Sequence, residues 1–127
     1  MIKGLGTDII QIARIERALA RTPALAQRIL TECELLEYSA SNQQARFLAK
    51  RFAAKEALVK ALGTGIGHGV SWQHIRLFKD TLGKPELELS AGALERAQQM
   101  GVSASFLSYS DEREYVVATV VLEGKSA

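Results

Sequence analysis

A chain of 127 residues, 47% hydrophobic and 24% charged, has room for one hydrophobic core rather than two and contains no segment polar enough to resist folding. A formal net charge of +2 is too small for the concentrated positive field of a dedicated nucleic-acid binder, and no apolar run approaches the roughly 18 residues of a membrane span. The lone Cys33 excludes an intrachain disulfide and a multi-thiolate metal site, so a reducing, cytoplasmic compartment is expected.

Residues 2–10 are β-branched and glycine-bearing and read as a strand with Gly4, Gly6 and Asp8 on one face; Lys3 and Asp8 interrupt the run and argue against a secretory signal. From Ile12 the period changes. Ile12, Ile15 and Leu19 recur at helical spacing until Pro23, and a second helical stretch covers about 24–30. Thr31 with Glu34 forms a capping-box pattern for a short helix ending near Ser39. Ser41 with Gln44 forms a second box, opening the longest helix, about 42–62, closed by Gly63. A glycine-rich loop occupies 63–71, after which 75–79 and 86–89 read as a hairpin joined through 80–85. Ser90 is placed to cap a helix ending at Gly101, and 104–110 with 115–123 form a final strand pair around the charged turn 111–114. This order predicts an α+β fold, a small mainly antiparallel sheet packed with one long buried helix and shorter helices, as a single domain over 1–127.

The long helix is apolar around nearly its whole circumference, so its charges need partners. Arg51 and Lys55 form one i,i+4 line, Glu56 and Lys60 another. The second line is either an ordinary intrahelical ion pair or part of a site. Asp8, near the end of an apolar strand, is either a cap for the following helix or a second site carboxylate. Brought together, Asp8 and Glu56 would offer two hard oxygen ligands of the kind magnesium uses while completing its octahedron with water and substrate phosphate. Lys60, one turn beyond Glu56, would face the same phosphates. The glycine loop is either a flexible connection or a place where backbone amides approach phosphate; it follows a helix, so it is no Rossmann fingerprint.

Arg14, Arg17 and Arg21, spaced i, i+3 and i+7, form a stripe opposite Ile12, Ile15 and Leu19, and Arg28 lies in line to extend it. With only Glu16 among the three, the stripe is either solvated surface or a dock for an anionic partner. His68 and His74 have no acid or histidine at metal-site spacing and read as loop residues.

Gly4-Leu5-Gly6-Thr7-Asp8-Ile9-Ile10 followed by Arg14-Ile15 resembles the opening motif of the holo-acyl-carrier-protein synthases. Phe47 through Ala57 (FLAKRFAAKEA), continuing to Lys60-Ala61-Leu62-Gly63-Thr64-Gly65-Ile66, resembles their second motif, and Gly83-Lys84-Pro85 a third. The resemblance implies a phosphopantetheinyl transferase that moves phosphopantetheine from coenzyme A to a serine of an acidic acyl carrier protein, releases adenosine 3',5'-bisphosphate and supports fatty acid biosynthesis. It implies that Asp8 and Glu56 bind Mg2+ and that Lys60 stabilises the leaving nucleotide, with Glu56 or a magnesium-bound water as the base. Arg51, Lys55, Lys60, Gly63, Thr64, Gly65, Lys84 and Pro85 would surround the nucleotide, and Arg14, Arg17, Arg21 and Arg28 would meet the carrier protein. It further implies a homotrimer with active sites at subunit interfaces, and no nucleic-acid or membrane partner. Many relatives carry a histidine where Asp111 stands, so no role passes to that position. The rival from another class is a noncatalytic module that uses the arginine stripe to recognise an acidic protein.

Overall fold

The computed structural model describes residues 1–126. In chain order the elements are β1 (Ile2–Gln11), α1 (Ile12–Arg21), α2 (Leu25–Ile29), α3 (Glu32–Ala40), α4 (Gln44–Ala61), a 3-10 turn (Trp72–His74), β2 (Ile75–Lys79), β3 (Pro85–Leu89), α5 (Ala91–Gln99), β4 (Val102–Asp111) and β5 (Tyr115–Gly124). The α+β architecture and its antiparallel pairing agree with the sequence reading. The strands divide into two sheets, one of order β1-β5-β4 and a β2-β3 hairpin.

Period-two alternation orients the larger sheet. Along β5, Val116, Ala118, Val120 and Leu122 are buried, and α4 packs across that face, burying Ala53, Ala57, Leu58 and Ala61 between helix and sheet. The opposite face is uncovered: Leu5, Ile9, Phe106 and Val117 are 66%, 61%, 48% and 39% exposed. Register gathers them, with Leu5 and Phe106 both opposite Val121 and Ile9 opposite Val117. The result is a largely apolar face, crossed between its two apolar rows by the polar row of Thr7, Thr119 and Ser108.

The closest helix–strand approach is made by glycine. A Cβ on Gly4 would collide with the Ala61 carbonyl oxygen and one on Gly6 with the Ala57 carbonyl oxygen, so β1 lies directly on the backbone of α4. Gly6→Ala is therefore expected to cost about 1–3 kcal/mol, the usual range for overpacking, read as a lower midpoint in urea unfolding at unchanged slope.

Two predicted caps do not form. Ser41 accepts from the Gln43 amide at 3.0 Å, α4 starts at Gln44 with Gln43 as its N-cap, and the helix is two residues shorter at that end than its pattern suggests. Ser90 stands at the N-cap of α5, but its hydroxyl donates to the His74 carbonyl at 3.3 Å, so it ties the turn to the helix instead. The α3 box forms in one direction: Glu34 Oε1 accepts from the Thr31 amide at 2.9 Å. The reciprocal bond is aligned without closing, and Thr31 Oγ1 stays buried with no partner.

Candidate functional site

The glycine contacts set the position of Asp8. It lies on the same face of β1 as Gly4 and Gly6, so its carboxylate emerges against α4 where Glu56 and Lys60 are one turn apart. Lys60 Nζ donates to Asp8 Oδ1 at 3.0 Å and to the Thr7 carbonyl at 3.0 Å. The lysine therefore pairs across the helix–strand boundary. No ion pair joins it to Glu56, which removes the simple intrahelical alternative. The capping alternative for Asp8 falls as well, because the N-cap of α1 is Gln11.

Glu56 is partly buried, and its carboxyl is pushed above the usual glutamate range, first by burial and second by the charge of Asp8. Trp72 and Lys60 pull weakly the other way. The indole Nε1 of Trp72 is nevertheless buried without a hydrogen-bond partner, so it approaches Glu56 without completing a bond to it. With the Asp8 charge raising the proton affinity of Glu56, the two acids leave the site short of positive charge. Among the described residues no three His, Cys, Asp or Glu side chains cluster. A cation here would take two carboxylates and draw its remaining ligands from water or phosphate, a donor set that fits Mg2+ and not a closed structural zinc site.

Lys55 requires a correction. Its side chain is fully buried, and its ammonium is held by Glu34 Oε1 at 2.7 Å, the Ile29 carbonyl at 2.7 Å and the Trp72 carbonyl at 3.3 Å. It has no surface to offer a nucleotide. Burial lowers its pKa, with the Glu34 charge opposing. Arg51, 4% exposed, belongs to the same cluster, with Nε 3.5 Å from Glu34 Oε2 but not aligned for a hydrogen bond, Nη2 donating to Glu37 at 3.0 Å, and the guanidinium 4.5 Å from the Phe47 ring centre. Glu34 Oε2 also accepts the Leu77 amide of β2 at 3.0 Å. One buried carboxylate thus joins α3, α4 and β2.

The glycine loop is also corrected in its chemistry. The Gly63 amide donates to Lys60 O at 3.0 Å, and those of Thr64 and Gly65 donate to Val59 O at 3.2 Å, so all three close the end of α4 and none is open to phosphate. Gly63 (φ 76°) and Gly65 (φ 61°) supply the left-handed backbone that this closure needs. Arg96, which sequence reasoning missed, donates from Nε to Leu62 O at 2.9 Å and completes the cap from α5. Thr64, Gly63 and Arg96 line a cleft of about 350 Å³ beside His68 and Glu95.

Lys84 is exposed at the β2-β3 tip, 3.5 Å from Glu86, and Pro85 starts β3. Among the described residues no hydrogen bond or ion pair connects them to Asp8, Glu56 or Lys60. Asp111 ends β4 and accepts from Arg46 at 2.9 Å, with Lys50 at 3.6 Å; Arg46 also donates to the carbonyls of Glu112 and Arg113. Asp111 thus anchors the last turn to α4. His74 lies at the end of the 3-10 turn rather than in a loop, its Nδ1 accepting from the Ser71 amide, and His68 is an exposed loop residue at φ 52°.

Arg14, Arg17, Arg21 and Arg28 are all exposed, and none makes an ion pair among the described residues. The first three rim a cleft of about 370 Å³ whose floor includes Ile15, Leu25, Ile29, Phe52 and Trp72; Arg28 lies outside its lining. The stripe is the edge of an apolar groove, a feature that periodicity alone did not reveal.

The 4'-phosphopantetheinyl transferase superfamily model matches residues 4–120. The holo-[acyl-carrier-protein] synthase of Vibrio cholerae serotype O1 is 57% identical over 124 residues, covering 97% of this chain and 98% of the relative. Among solved structures, a holo-[acyl-carrier-protein] synthase from Neisseria meningitidis is 47% identical with a TM-score of 0.89, covering 97% of this chain and 99% of that one. A holo-(acyl-carrier-protein) synthase from Bacillus anthracis in complex with CoA (3',5'-ADP) is 41% identical with a TM-score of 0.82, covering 98% and 99%.

Proposed function

The chain belongs to the 4'-phosphopantetheinyl transferase superfamily, and we propose that it moves phosphopantetheine from coenzyme A onto a serine of an acidic acyl carrier protein, with residues 1–127 acting as one domain. Adenosine 3',5'-bisphosphate leaves. The observation that carries this reading is the Asp8, Glu56 and Lys60 arrangement: two carboxylates, one of them raised in proton affinity by the other's charge, beside an exposed ammonium. Asp8 and Glu56 would hold Mg2+, which when bound supplies positive charge to the pyrophosphate. Lys60, with its side chain 54% exposed, is available to the leaving nucleotide. Glu56 or a magnesium-bound water would accept the serine proton. Arg51 and Lys55 act beneath the site by fixing the helix that presents Glu56. We assign to Gly63, Thr64 and Gly65 the shaping of the nucleotide end by their backbone path, and to Lys84 and Pro85 a contact with the nucleotide from the hairpin.

The carrier protein docks on the arginine-rimmed groove, where positive edges and an apolar floor suit an acidic, amphipathic helix. The uncovered face of the larger sheet is the natural contact for further copies, and we assign a homotrimer with active sites at its boundaries. The setting is cytoplasmic fatty acid biosynthesis. The deciding experiment incubates the protein with coenzyme A, Mg2+ and unmodified carrier protein and weighs the carrier. Added phosphopantetheine mass supports the transfer, and an unchanged mass with folded protein defeats it. Arg14→Glu is expected to raise KM for carrier protein roughly tenfold while leaving KM for coenzyme A within about twofold. An equal rise for both substrates would remove the docking assignment.

A further inference from the structure

The 3-10 turn that carries Trp72 is held more firmly than its three residues would suggest. Gln73 Nε2 donates to three carbonyls at the end of α2, those of Gln27 at 3.0 Å, Arg28 at 3.2 Å and Leu30 at 2.8 Å. Ser71 Oγ accepts the Gln73 amide at 3.2 Å, and the buried Lys55 ammonium donates to the Trp72 carbonyl. The Trp72 ring leans on Phe52 with centroids 6.3 Å apart. With backbone and ring both fixed, the position of the indole N–H is also fixed.

That N–H is the one polar atom of the turn left buried without a partner, and buried donors are nearly always satisfied. Its acceptor is identified by its neighbours. The two α4 residues that hold Trp72 are Phe52 and Lys55. Glu56 follows Lys55 directly and lies at i+4 from Phe52, on the same helix face. Its carboxylate responds to the indole as a nearby hydrogen-bond donor, which places the two side chains close together.

We propose that Trp72 is a positioning residue whose indole N–H donates to Glu56 and fixes the direction of that carboxylate when the site is loaded. The same ring forms part of the groove floor rimmed by Arg14, Arg17 and Arg21, so the groove and the acid share one rigid side chain. This inference rests on Glu56 being a site acid.

Because the chain has a single tryptophan, a ¹H–¹⁵N correlation spectrum recorded with coenzyme A and Mg2+ present contains a single indole resonance. Glu56→Gln keeps the shape and removes the charge of the acceptor, and the indole proton is expected to move upfield and exchange faster with solvent. Trp72→Phe keeps the ring against Phe52 and the backbone bond to Lys55 while removing the donor. It is expected to lower kcat roughly tenfold with KM for coenzyme A and carrier protein within about twofold. An indole resonance unmoved in Glu56→Gln, or an unchanged kcat in Trp72→Phe, overturns the proposal. Loss of activity in Glu56→Gln with an unmoved indole removes Trp72 from the site and leaves Glu56 in it, whereas full activity in Glu56→Gln removes both. The spectrum uses the native tryptophan, so it decides the matter even where Trp72→Phe folds poorly.

Discussion

Glu34→Ala is expected to destabilise the protein by about 3–5 kcal/mol, the cost of leaving a buried charge without its partner. Glu34 and Lys55 are 1% and 0% exposed and 2.7 Å apart, and the same carboxylate holds the Leu77 amide and faces Arg51. Its removal strands the Lys55 ammonium in the core, while Arg51 loses one carboxylate and keeps Glu37. Guanidinium chloride unfolding followed by circular dichroism measures the loss, and adding Lys55→Met to Glu34→Ala should recover much of it by removing the stranded charge. A variant within about 1 kcal/mol of wild type would show the cluster to be peripheral to stability. The pH dependence has a definite sign. Burial already lowers the Lys55 pKa, and Glu34 supplies the leading effects that oppose this. Without Glu34, folded Lys55 binds its proton more weakly still than the unfolded chain does, so stability rises as pH climbs from the lowered pKa toward the ordinary lysine range. The deficit of the variant should therefore narrow at alkaline pH.

Glu56→Gln is expected to reduce transfer by about 10²–10³-fold, a loss in the range of an acid–base or charge-stabilising group. Initial rates in the carrier mass assay measure it. The same substitution should leave the thermal midpoint unchanged or raise it, because it replaces a carboxylate that burial and Asp8 both disfavour with a neutral amide of the same shape. A fall in activity accompanied by a similar fall in stability would point to a structural role instead. Opposite signs in the two measurements are the mark of a residue kept for chemistry.

Periodicity and punctuation made the elements legible. Alternation in β5, the i,i+3 spacing of α1, Pro23 and Gly63 all act within a few residues, and each element has its expected type. Failures occurred where a local group had a distant competitor. Ser90 has the right residue type for a cap, yet the His74 carbonyl takes its hydroxyl. Glu34 reads locally as half of a capping box, while its second oxygen binds an amide of β2. Lys55 shows the same limit: a base in an apolar helix needs an anion, and nothing in its own segment tells a buried glutamate from a ligand phosphate. Asp8 and Lys60 were singled out because an acid on an apolar strand and a base on an apolar helix are costly alone, and the fold brings them to 3.0 Å. Arg96 and Trp72 gave no comparable signal, since their partners, Leu62 O and the neighbourhood of Glu56, exist only after α4 has packed.

At Gly4 and Gly6 no side chain lies between strand and helix, so the separation of the backbones that carry Asp8 and Glu56 is fixed by peptide groups in contact. Rotamer changes elsewhere in the core have little leverage on it. Swapping one aliphatic core residue for a smaller one should therefore melt the protein earlier without altering which ion sizes the proposed Asp8–Glu56 cation site would accept. Tuning of that preference would have to act through the path of the main chain. Thermal robustness and ion choice can then drift independently among homologous sequences, provided these two positions keep their missing methyl groups.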